Sequence, residues 1–85
     1  MAEQLYVAWL EDEQVDGSKQ GPWTDAFLLR PGLLLVRSAE GRSPVYHALK
    51  HLSAPDAALL VAPLADEPKA KGMAEGWTSW LRSAG

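Results

Sequence analysis

Three short runs in this chain are apolar on both faces of any strand they form. Residues 5–10 read Leu-Tyr-Val-Ala-Trp-Leu, 33–37 read Leu-Leu-Leu-Val-Arg, and 57–64 read Ala-Ala-Leu-Leu-Val-Ala-Pro-Leu. A strand with one wet face alternates apolar and polar residues, so a run without alternation marks a strand covered on both sides. With 85 residues there is little chain to supply two covers. A domain near this size buries only about 60% of its unfolded surface. The central question is therefore what covers the second face.

The remaining elements follow from local signals. Residues 11–22 hold acidic residues, glycine and proline, a loop composition. In 23–30, Trp23 and Phe27 have the i, i+4 spacing of a helix face. The competing reading, an edge strand bent at Pro31-Gly32, is preferred because proline then glycine fits a type II turn. Ser43-Pro44 reads as a helix start with Ser43 as the cap. Val45, Ala48, Leu49 and Leu52 then give one apolar stripe, predicting a helix over 44–52. Pro63 is expected at the end of the last strand or on an edge. Met73, Trp77, Trp80 and Leu81 predict a closing helix over 73–83, with Gly76 costing it about 1 kcal/mol. The predicted fold is a single α/β (α+β) domain over 1–85. It is a small two-layer sandwich with a three- or four-stranded mixed sheet and two main helices, 44–52 and 73–83. Strand 33–37, helix 44–52 and strand 58–64 form one βαβ unit with parallel strands.

Two such helices can cover one face of this sheet and hardly both. The second face then falls to the 11–31 segment, with Trp23 and Phe27 folded over it, to a second copy of the chain, or to another protein. The chain has four tryptophans, a residue enriched at interfaces. Trp9, Trp23 and Phe27 are the candidate interface residues. The expected function is a protein-interaction module, a homodimer or the accessory subunit of a larger complex.

The alternative is a strand-end site for an anionic ligand such as a phosphate. Parallel strands place ligands at their carboxyl ends. There the sequence puts Arg37, Ser38, Arg42 and Ser43 before one helix and Lys69 and Lys71 before the next. Free N–H groups and the helix dipole favour an anion at such a start. Other constellations are weaker. His47 and His51 share a helix face without a third ligand, so a metal is not expected. Tyr46 and Lys50 share that helix at the same spacing. Glu11, Asp12, Glu13 and Asp16 lack the calcium-loop pattern. Cysteine is absent, which excludes disulfides, thiolate zinc sites and thiol nucleophiles. No dinucleotide-binding, P-loop or nucleophile-elbow motif occurs, and no catalytic constellation or cofactor is implied. A net charge of −3 argues against nucleic acid as the partner. No run reaches the roughly 20 apolar residues of a membrane span. The start, Met-Ala-Glu-Gln, has no secretory pattern, so the expected location is cytoplasmic.

Overall fold

The structure, a computed structural model, describes residues 3–83. Its elements run β1 (Gln4–Leu10), β2 (Asp25–Arg30), β3 (Leu33–Ser38), α1 (Arg42–Leu52), β4 (Leu59–Pro63) and α2 (Trp77–Arg82). All three two-faced runs are strands, and 23–30 supplies the edge strand β2. Between β2 and β3 the chain turns at Pro31-Gly32, where Gly32 has φ +80°. The Leu10 N–H donates to the Gly32 carbonyl at 2.7 Å, and a Cβ on Gly32 would lie 2.5 Å from the Leu10 carbonyl oxygen. Both the backbone conformation and the close approach require glycine here.

The sheet order is β2-β3-β1-β4, and every neighbouring pair is antiparallel. This corrects the expected mixed sheet. β3 and β4 point the same way, but β1 lies between them, so the connection through α1 steps over β1 instead of joining neighbours. Apolar periodicity reports which faces of a strand are covered. It carries no information on which strand lies beside it, and antiparallel pairing is slightly the more stable per residue.

The register assigns each side chain to a face. Tyr6, Ala8 and Leu10 of β1 and Leu34 and Val36 of β3 share the first face, where Val45 and Leu49 of α1 and Val15 complete a buried core. Trp23 also packs against this core. Of the three covers offered for the second face, the loop part of 11–31 is not the one used: Val15 and Trp23 pack on the first face, while Phe27 belongs to β2 and faces the second. Val7, Trp9, Leu33, Leu35 and Arg37 point the other way, with Asp25 and Phe27 of β2 and Leu60 and Ala62 of β4. On that side α2 lies along β2, with the Trp80 ring 5.8 Å from that of Phe27. The Ala74 N–H donates to the Leu29 carbonyl at 2.8 Å. The two helices thus sit on opposite faces, not together on one as a two-layer sandwich requires. α2 thereby covers the β2 side of this apolar second face.

The helix ends also depart from expectation. The N-cap of α1 is Gly41, not Ser43, and no side chain caps it. Pro44 falls inside the first turn, where its missing N–H is no loss. α2 is shorter than 73–83 because Gly76 takes the left-handed conformation, φ 92°, and the helix starts only after it.

Candidate functional site

The second face divides into a closed half over β2 and β3 and an open half over β1 and β4. Arg37 closes the first half. It is 7% exposed, and its Nη1 donates to Asp25 Oδ2 at 3.0 Å. Its Nη2 donates to the carbonyl oxygens of Trp80 and Leu81, each at 3.2 Å. The guanidinium also stacks on the Trp80 ring. The indole N–H of Trp80 donates to Asp25 Oδ1 at 2.6 Å. A cation at the last carbonyls of a helix is favourably placed against its dipole, and guanidinium geometry satisfies three acceptors at once. This network pins a six-residue helix that has no fully buried residue of its own. Beneath it Leu35 is 1% exposed and Leu29 5%.

Among the described residues the open half has no such cover. Trp9 of β1 and Leu60 of β4 are directly opposed in the register. They are 47% and 58% exposed, the two large apolar side chains most open to solvent among the described residues. Val7 and Ala62, the adjacent pair on the same face, are half-buried. Exposed apolar side chains that adjoin one another are the kind of surface on which proteins associate. Of the three interface candidates from the sequence, Trp9 lies in this patch. Trp23 packs on the opposite face, and Phe27 lies half-buried beside Trp80. Leu60 is the residue that sequence reading missed. Its signal is the unbroken Leu59-Leu60 pair, which puts one leucine on each face of β4.

The six residues of the anion cleft are dispersed. Arg37 is engaged on the second face as described. Ser38 has no exposed surface; its hydroxyl donates to the Pro22 carbonyl and accepts from the Glu40 N–H. Arg42 and Ser43 are exposed in the first turn of α1. Lys69 lies on a shallow groove of about 560 Å³ whose charged lining, Asp66, Glu67, Lys69 and Arg82, carries both signs. Lys71 is next to Gly72, whose carbonyl accepts from Arg30 Nη1 at 3.0 Å. That contact lies at the turn end of the β2–β3 hairpin, the opposite end of β3 from Ser38.

Other constellations fall elsewhere. His47, Lys50 and His51 line the outer side of α1 with Ser53 and Pro55. Among the described residues no group of three or more histidine or acidic side chains is placed to hold a metal ion. No helix among the described residues is long and apolar enough to cross a membrane. Asp12 and Glu11 serve the loop that leads into β4. Asp12 Oδ2 accepts from the Ala54 N–H and Glu11 Oε1 from the Ala58 N–H, both at 2.8 Å. Asp16 Oδ1 accepts from the Ser18 N–H at 2.9 Å. The hydroxyl of Ser18, then its N–H, holds the Asp16 carboxyl below the usual aspartate range. No protein-family model, curated protein or solved structure matches this chain.

Proposed function

We propose that this chain is a protein-interaction module of the cytoplasm, acting as a homodimer or as the accessory subunit of a larger assembly. Its working surface is the open half of the second sheet face. One observation carries the reading: Trp9 and Leu60, cross-strand neighbours, stand 47% and 58% exposed beside a half-face that the chain closes itself. Tryptophan on a rigid strand offers a large contact area at little entropic cost, the usual make-up of an interface anchor. The anion-cleft alternative is set aside because its best-placed cation, Arg37, already holds α2.

The test compares wild type with a Trp9→Lys, Leu60→Lys double variant. Light scattering across a dilution series reads self-association, and affinity capture from lysate reads other partners. The expected result is an association that the double variant loses while its circular dichroism is unchanged. An association both proteins make equally overturns this surface, as does a wild type that associates with nothing in either measurement.

A further inference from the structure

The order β2-β3-β1-β4 leaves two sheet edges, and they are treated differently. The β2 edge is broken by an irregularity between Leu28 and Arg30. It is further occupied by Ala74, whose N–H bonds Leu29, and by Gly72, bonded by Arg30. Bulges and covering segments of this kind are how proteins blunt an edge. Among the described residues nothing covers the β4 edge in a comparable way. Residues 57–64 carry no charge, and their one proline is Pro63, at the end of the strand.

The phase of the β1–β4 ladder shows which backbone groups face outward. The Glu11 N–H bonds the Ala58 carbonyl and the Leu64 N–H bonds the Leu5 carbonyl. In an antiparallel pair inward and outward residues alternate, so Leu60 and Ala62 also turn their backbone groups toward β1. Leu59, Val61 and Pro63 turn theirs away. Among the described residues no hydrogen bond from a loop or side chain reaches these outward groups.

We propose that the β4 edge pairs antiparallel with β4 of a second copy of this chain, centred on Val61. The inference rests on the interaction-module reading and names its partner. The edge is self-complementary in this register. Val61 exchanges two backbone hydrogen bonds with the partner's Val61. Leu59 falls opposite the partner's Pro63, so each Leu59 N–H meets a proline carbonyl. The N–H that proline lacks is needed only at the two ends of the ladder. The two-fold axis of such a pair is perpendicular to the sheet, which keeps like faces on one side. Two four-stranded sheets become one of eight strands. Leu60 then sits beside the partner's smaller Ala62, and the two Trp9–Leu60 patches merge into one surface. A shift of two residues toward the proline would set Val61 opposite the partner's Pro63, whose missing N–H leaves the Val61 carbonyl unpaired.

The test uses the full chain. Amide hydrogen exchange is followed by NMR at concentrations above and below the association midpoint that light scattering gives. The Leu59 and Val61 amides are expected to exchange at least about tenfold more slowly at high concentration. Leu60 and Ala62, already bonded to β1, are expected to change little. Val61→Pro removes an outward N–H and leaves the bonds to β1 in place, at the expense of some packing of Val61 on the core, and is expected to give a folded monomer; the exchange experiment decides the matter if that variant does not fold. A wild type that stays monomeric at about 1 mM overturns the inference, while capture of another protein through Trp9 and Leu60 would leave the interaction-module reading standing. A dimer without protection at Val61, lost in Trp9→Lys, also overturns the edge pairing and leaves that reading intact. A dimer indifferent to both changes overturns both.

Discussion

The guanidinium carbon of Arg37 lies 4.1 Å from the centroid of the Trp80 ring, and the same indole donates its N–H to the carboxylate that Arg37 pairs with. Arg37, Asp25 and Trp80 form a closed triangle in which each member holds the other two. Arg37→Lys keeps the charge but cannot stack flat or reach Asp25 and two carbonyls together. The expected loss is about 2 kcal/mol, since hydrogen bonds to charged groups contribute roughly 1.5–3 kcal/mol each and Asp25 is partly solvated. For a domain of this size that is a fall in Tm of roughly 10 °C. Thermal unfolding followed by tryptophan fluorescence measures it. A fall of only a degree or two would mean that α2 is held by something else.

Gly32→Ala should be the costlier of the turn substitutions. The new methyl meets the Leu10 carbonyl oxygen, and the backbone there is left-handed. The expected cost is about 2–3 kcal/mol. Urea unfolding should show a lower midpoint with an unchanged slope. An equal stability for the alanine variant would show that the turn can adopt another form.

The two serines near the start of α1 should separate cleanly. Ser38→Ala removes the buried hydroxyl that serves the Pro22 carbonyl and the Glu40 N–H in a part-buried site, at about 1–2 kcal/mol. Ser43→Ala changes an exposed side chain that caps nothing, and should stay within about 0.5 kcal/mol. Parallel denaturation curves of the two variants give the comparison, and equal losses would contradict it.

Asp16 should titrate below the ordinary aspartate range in the folded chain. Its folded value lies below its unfolded one. The associated stabilisation is therefore complete above the ordinary aspartate pKa and is lost as pH falls through the lowered one. Ser18→Ala removes the first of the two donors, so an NMR titration of the Asp16 carboxyl should move back upward. A midpoint insensitive to that change would assign the shift elsewhere.

Much of this architecture is legible in the residues. The runs around Val7, Leu34 and Leu60 become β1, β3 and β4, and the Val45, Leu49 stripe buries α1 on the sheet. Pairing is less legible. Counting back from a two-residue turn at Pro31-Gly32 sets Ala26 against Arg37. The irregularity between Leu28 and Arg30 slips the register by one, so Asp25 faces Arg37 instead. That slip conceals the ion pair and makes Arg37 resemble a free loop cation. The tryptophan spacing at Trp77 and Trp80 does indicate a helix, but Gly76 shortens it. Nothing local in 73–83 says which face of the sheet it will cover. The exposure of Trp9 depends on where that short helix stops, which is a tertiary outcome.

The central position of β1 has a consequence for how the chain is made. Leu5 finds its neighbour at Arg37 and Tyr6 its other neighbour at Pro63. During translation β1 therefore waits for β3 before it pairs on one side, and for the still later β4 before it pairs on the other. Pairings so distant must meet the entropy of closing long loops before they return any stabilisation. In that interval Leu-Tyr-Val-Ala-Trp-Leu is a bare apolar strand, the kind of nascent segment that chaperones hold and that misfolding begins from.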